Sequence, residues 1–118
     1  MEYHGTVKAE FDAAHVLPGH PRCGRQHGHH YRVAIRVQNR VRRDTPAMEL
    51  DDLSRDLTAL TDEFDCRYLE DMMPGVVTTP HGIASYFMER LVGGWPLLES
   101  VTVWERPCCS ATVTREVT

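Results

Sequence analysis

No stretch of this 118-residue chain approaches the roughly 20 consecutive apolar residues of a membrane-spanning helix. The amino end, MEYHGTVKAEFD, has neither the basic nor the apolar region of a secretory signal, so a cytoplasmic protein is expected. Positive charge is also short. Thirteen Lys and Arg stand against 17 Asp and Glu, a net charge of -4 that leaves no basic field for nucleic acid. Internal repeats, low-complexity tracts and linkers are absent, and at about 100 to 200 residues per domain the length allows one domain, residues 1–118. Such a domain buries about two-thirds of its extended-chain surface, enough for one core but too little for a deep private cleft. A pocket would draw on a neighbouring subunit. In a reducing compartment the four cysteines (Cys23, Cys66, Cys108, Cys109) are expected as free thiols or ligands, and the vicinal pair Cys108 and Cys109 as structural.

What the chain has in excess is histidine: seven in all, with His15, His20, His27, His29 and His30 between positions 15 and 30. Hydrophobic periodicity places them. Val7, Ala9, Phe11 and Ala13 alternate with Thr6, Lys8, Glu10 and Asp12, as in a half-buried strand, and His15 continues the apolar phase. After a turn-rich segment broken by Pro18, Gly19, Pro21 and Gly24, alternation resumes through Tyr31, Val33, Ile35 and Val37, with His27 and His29 in phase. An antiparallel hairpin of these strands would bring all three histidines to one sheet edge. Leu50, Leu53, Leu57, Leu60 and Phe64 mark an amphipathic helix. Thr79 as N-cap, Pro80 at the first helical position and Ile83, Phe87 and Leu91 mark another, ending at Gly93-Gly94. Val101, Val103 and Glu105 share one strand phase, and a last strand lies near Ala111 to Thr114. The order ββααββ fits the α+β class, an antiparallel sheet with helices on one face.

In a strand, His27 and His29 aim two imidazoles the same way, Gly28 between them allows close backbone approach, and His15 can supply a third. Three nitrogen ligands with an open position describe a catalytic Zn²⁺ site; Cys23 as a fourth ligand would instead close a structural one. Histidines lining a polar loop are the plain alternative. His4, His20 and His30 are expected at the surface. Cys23, four residues before His27 and flanked by Arg22 and Arg25, would be a reactive thiol beside a cation. Glu105 puts a carboxylate at the end of a strand on the buried phase. It either pairs with Arg106 or Arg115, or receives a ligand with two adjacent N–H donors. Asp65, Cys66 and Arg67 read from spacing alone as a polar cluster at a helix end.

Phe11-Asp12-Ala13-Ala14-His15, followed by Cys23-Gly24-Arg25-Gln26-His27-Gly28-His29-His30-Tyr31, resembles the F-x-A-A-H … C-x-x-x-H-G-H signature of the 6-pyruvoyl-tetrahydropterin and 6-carboxy-tetrahydropterin synthase family. The likeness continues through Met48 to Leu53, Phe64 to Leu69, Thr79 and Val103-Trp104-Glu105, nearly the whole chain. It implies the tunnelling fold, a ββααββ subunit that builds barrels by oligomerising, usually as a hexamer with active sites between subunits. It further implies Zn²⁺ on His15, His27 and His29, Cys23 as the catalytic thiol, and Glu105, with Thr79, binding the pterin. The three-residue gap between Cys23 and His27 resembles the carboxy-forming branch. That branch implies 7,8-dihydroneopterin triphosphate as substrate and 6-carboxy-5,6,7,8-tetrahydropterin as product, on the queuosine and 7-deazapurine route. Arg22, Arg25, Arg67 and Arg106 are unranked candidates for the triphosphate.

Two positions depart from the family pattern. Its Asp-His relay reads Asp65-Cys66 here, and a thiol near 8.5 exchanges protons less readily at neutral pH than an imidazole near 6.5. His81 and Gly82 stand where the family usually has a glutamate followed by an asparagine or similar residue, so His81 is a candidate for the missing imidazole. The competing expectation is a paralogue that keeps metal and pterin binding with altered or lost catalysis.

Overall fold

The computed structural model describes residues 2–22, 24–40 and 49–117. Cys23 and Met48 lie outside the described residues. The first two strands, β1 (Glu2–His15) and β2 (His27–Arg40), pair antiparallel over their full length, with His15 opposite His27 and Ala13 opposite His29. The apolar phase read from the sequence faces the core: Phe11, Tyr31, Val33, Ile35 and Val37 are all buried. Phe11 and Tyr31, cross-strand partners, stack at 5.0 Å with their planes 14° apart.

Helix α1 (Leu50–Phe64) starts where the Glu49 carboxylate accepts the Asp51 N–H, and buries Leu53, Leu57, Leu60 and Phe64. The chain then forms two short elements that periodicity did not reveal, β3 (Arg67–Tyr68) and α2 (Leu69–Met72). Strand β3 lies parallel to β1 at Ala13 and Ala14, so the sheet is not wholly antiparallel. Helix α3 (Pro80–Val92) has Thr79 as N-cap, its Oγ1 accepting the Gly82 N–H, and buries Ile83, Ala84, Phe87, Met88 and Leu91. It ends at Gly93 as expected, although Gly93 stays right-handed at φ -64° and the position does not need glycine's left-handed freedom. Strands β4 (Leu98–Arg106) and β5 (Cys109–Thr114) complete a five-stranded sheet in the order β3-β1-β2-β4-β5. Both long helices cover one face, where Phe11 meets Phe64 and Phe87. The architecture is α+β, as expected.

Gly82 is where helix α3 meets the segment before it. A Cβ built there would sit 1.8 Å from the Val77 carbonyl oxygen, an impossible approach against backbone. Glycine therefore lets residues 77–79 lie against the helix start, which sets Thr78 over the end of β1. Gly93, by contrast, has open space around a Cβ. Gly82→Ala is expected to destabilise by about 1–3 kcal/mol through overpacking, whereas Gly93→Ala is expected to be neutral or to stabilise by about 0.4–1 kcal/mol. Urea denaturation of both variants measures the contrast, and equal midpoints would contradict it.

Candidate metal centre

The β1–β2 register brings His15, His27 and His29 together at the sheet edge, with one ring nitrogen of each within 4.8 Å of the others. His15 is fully buried, and the other two are partly so. The Nδ1 of His15 lies 2.8 Å from the Thr78 carbonyl oxygen, and the Nδ1 of His27 lies 2.8 Å from that of Arg25. A carbonyl only accepts, so both Nδ1 atoms carry the hydrogen and donate it. Both Nε2 atoms then carry lone pairs, yet they lie 2.8 Å apart. Two lone pairs at that distance require a cation between them, either a proton or a metal ion. Burial pushes His15 below its ordinary 6.5, with the charge of His27 adding to the fall against the opposing Thr78 hydrogen bond and Glu105 and Glu70 charges. The proton is thus the disfavoured occupant, and the donor set of three neutral imidazoles suits Zn²⁺.

Glu105 completes the cluster. Its Oε1 lies 3.6 Å from His29 Nε2, within ion-pair reach but too far for a hydrogen bond, and His29 Nε2 has no hydrogen-bond partner among the described residues. A register shift between Trp104 and Arg106 in the β4–β5 ladder puts Glu105 at an irregularity, a device that re-aims a side chain. Its alternative partners are engaged elsewhere: Arg115 donates to the carbonyls of Pro96 and Leu98, and Arg106 to Cys109 Sγ. His29 is also held below its ordinary value by burial, with Glu105 pulling the other way.

Asp65 and Cys66 lie beside β1, against the Asp12 backbone. Asp65 caps α1 and accepts the Asp12 N–H at 2.8 Å, while Cys66 donates its N–H to the Asp12 carbonyl. Cys66 is exposed and holds φ at +58°, a left-handed conformation uncommon outside glycine. It lines an open cleft of about 670 Å³ with Asp12, Gln26, His30, Arg67 and Tyr68 that reaches His29. His81 is exposed in the first turn of α3 and is not among the residues lining that cleft. Thr79 serves as helix cap. Of the candidate triphosphate arginines, Arg67 lines the cleft.

Other expectations fared unevenly. Gly28 is not forced by crowding, since a Cβ there would meet only the Ala13 carbonyl oxygen at an ordinary 3.5 Å. The vicinal thiols are not part of the core: Cys108 is exposed, Cys109 partly so, and their sulfurs lie 3.4 Å apart at the β4–β5 turn. His30 is a surface residue, as expected, and its hydrogen bond to Asp12 raises its pKa. His4 is exposed, as expected, and lies 3.3 Å from Glu99. Two residues that periodicity missed, Thr78 and Glu70, contact the triad's surroundings: the Glu70 Oε1 accepts from Thr78 Oγ1 at 2.6 Å and from the Val16 N–H at 3.1 Å. They lie outside any regular phase, and no spacing signal marks them.

The lowered folded-state values of His15 and His29 set a sign. Above pH 6.5 both are neutral folded or unfolded; below it the unfolded chain takes up protons that the fold resists. The raised His30 contributes oppositely, gaining stability as pH falls. In a His30→Asn background the metal-free protein is expected to lose stability steadily as pH falls through and below 6.5. Urea midpoints across that range measure it, and a rising midpoint would contradict the assignment.

A sequence model of the family described as 6-pyruvoyl tetrahydropterin synthase matches residues 4–116. A protein of Archaeoglobus fulgidus, carrying the provisional name 6-carboxy-5,6,7,8-tetrahydropterin synthase, is 31% identical over 67 residues, 57% of this chain and 58% of its own. The match therefore spans little more than half of that relative's length. The structure of Caenorhabditis elegans 6-pyruvoyl tetrahydropterin synthase superposes with a TM-score of 0.86 at 21% identity, covering 98% of this chain and 97% of the other. An uncharacterized Wolinella succinogenes protein superposes with a TM-score of 0.83 at 18% identity, over 98% and 99% of the two chains. At those identities the structures speak for the tunnelling fold alone. The sequence match over nearly the whole length settles the family: this chain belongs to the 6-pyruvoyl tetrahydropterin synthase family.

Proposed function

We propose that this protein is a zinc-dependent pterin lyase that converts 7,8-dihydroneopterin triphosphate to 6-carboxy-5,6,7,8-tetrahydropterin, on the queuosine and 7-deazapurine route. The observation that carries the reading is the placement of the Glu105 carboxylate 3.6 Å from His29 Nε2, beside three converging imidazoles. A carboxylate there accepts two adjacent N–H donors from a pterin ring edge, a bidentate charge-assisted pair that aims the ring's side chain at the histidines. Zinc held by His15, His27 and His29 supplies Lewis acidity toward the oxygens of that side chain.

The chain's own groups would handle the protons. Cys23, outside the described residues, is the proposed acid/base thiol. Its role comes from the signature it shares with the family, and its thiolate would accept a proton from the substrate side-chain carbons. Asp65, fixed by the Asp12 N–H, aligns the segment that carries Cys66. Thr79 Oγ1 spends a lone pair on the Gly82 N–H, leaving its hydroxyl hydrogen available to a bound pterin. A homo-oligomer, in its usual form a hexamer with sites between subunits, is part of the reading. Among the described residues β5 pairs only with β4, and β1 pairs with β3 at just two residues, so both sheet edges offer backbone to a neighbouring copy. A cytoplasmic location is part of the same proposal.

A second reading, a paralogue with altered or lost catalysis, is favoured by one observation. The relay position carries an exposed thiol, Cys66, in a strained backbone conformation, and His81 does not line the cleft beside it.

Incubation of zinc-loaded protein with dihydroneopterin triphosphate, with product identified by mass, is expected to yield the 6-carboxy product; unchanged substrate would overturn the first reading. The same assay separates the two with variants. Cys66→His is expected to raise turnover by at least several-fold if the relay limits the rate, while His81→Ala is expected to lower turnover and shift its pH profile only if His81 supplies the imidazole.

A further inference from the structure

We propose that Glu70 is a positioning residue for His15: its carboxylate clips the segment carrying Thr78 to the end of β1 and holds the His15 ring with its hydrogen on Nδ1. The inference rests on the metal-site reading above and deepens it. Glu70, on the short helix α2, uses one oxygen for two bonds that flank His15 on both sides. Oε1 accepts the Val16 N–H at 3.1 Å, from the residue that follows His15, and the Thr78 hydroxyl at 2.6 Å. Thr78 in turn faces His15 Nδ1 with its carbonyl oxygen at 2.8 Å and its Oγ1 at 3.3 Å.

A hydroxyl has one hydrogen. Because Glu70 takes it, Oγ1 presents a lone pair to His15, and both Thr78 atoms near Nδ1 are acceptors. The ring is left with one satisfactory tautomer, the one whose Nε2 lone pair points at His27 Nε2. Without the carboxylate the segment carrying Thr78 loses its tie to the end of β1, and the ring loses the carbonyl acceptor that keeps its hydrogen on Nδ1 and leaves Nε2 free as a ligand. The arrangement extends a histidine's orientation by its outer hydrogen bond one residue further out, to a carboxylate. Glu70 also brings charge. Its Oε2 is buried with no hydrogen-bond partner among the described residues. With Glu105 it provides two carboxylates around a centre of three neutral imidazoles, the charge that a divalent cation balances.

The test uses ¹⁵N-histidine-labelled full-length protein in two states. In the metal-free protein, ring ¹⁵N shifts are expected to place the His15 hydrogen on Nδ1 in the wild type and in Glu70→Gln, which keeps an acceptor oxygen. Glu70→Ala and Thr78→Val are expected to shift the ring toward the other tautomer, and Thr78→Ser to restore it. Zinc affinity, by competition with a chromophoric chelator, is expected to fall by about 10- to 100-fold in Glu70→Ala and by less in Glu70→Gln. A Glu70→Ala protein with wild-type tautomer and zinc affinity, the wild type still binding zinc, overturns the positioning role and leaves the metal centre standing. If the wild type fails to bind zinc while Glu70→Ala still changes the tautomer, the metal reading falls and the positioning role stands. Should Glu70→Ala not fold, Thr78→Val decides alone: an unchanged tautomer and unchanged zinc affinity overturn the proposal.

Discussion

Two imidazole nitrogens facing each other across 2.8 Å, both ring partners already committed to backbone carbonyls, form a site that only a cation can satisfy. Much of the fold serves to create that conflict and keep it dry enough to matter. The hairpin register sets His15 opposite His27, the stacked Phe11–Tyr31 pair beneath braces both strands, and the packing of Val77 against Gly82 places the Thr78 carbonyl on His15. Relaxing any one of these lets the rings separate. Burial then decides the occupant, because it lowers the proton affinity of His15 while a divalent ion recovers the lost hydration by direct ligation.

The cluster is graded in polarity. His15 is sealed, His27 and His29 are partly open, and Glu105 borders them on β4, while His15 is contacted from within. Glu70 and Thr78 form that inner contact. Charge and hydrogen bonding are thereby divided: one carboxylate is turned toward a ligand and the other toward the scaffold. Cys66 lines an open cleft that meets the triad at His29.

Legibility in the sequence followed periodicity. A period of two put His15, His27 and His29 in one phase, and a period near 3.6 marked α1 and α3 to within a residue or so of their observed bounds. Glu105 was visible as a charge in an apolar phase, though the irregularity that re-aims it was not. Strand β3 was missed because two residues hold no period, and its parallel pairing with β1 depends on where α1 ends. Gly28 looked like a site of close approach and is not one. The contact that demands glycine is at Gly82, where the crowding atom belongs to a residue five positions earlier. The vicinal cysteines read as structural and stand instead at an exposed turn, because adjacency in sequence carries no information about burial.

What the sequence determined by itself is the candidate ligand set, the helices and the family, since each is written in local spacing or in a contiguous signature that survives without knowledge of distant contacts. What only the tertiary structure decided is the state of those ligands. Which ring nitrogen carries the hydrogen, which carboxylate faces inward and what ties Asp65 to β1 depend on hydrogen bonds between residues 8 to 63 positions apart, and on burial. Such long-range contacts leave no periodic trace, because their partners are brought together by chain packing rather than by the repeat of any one element.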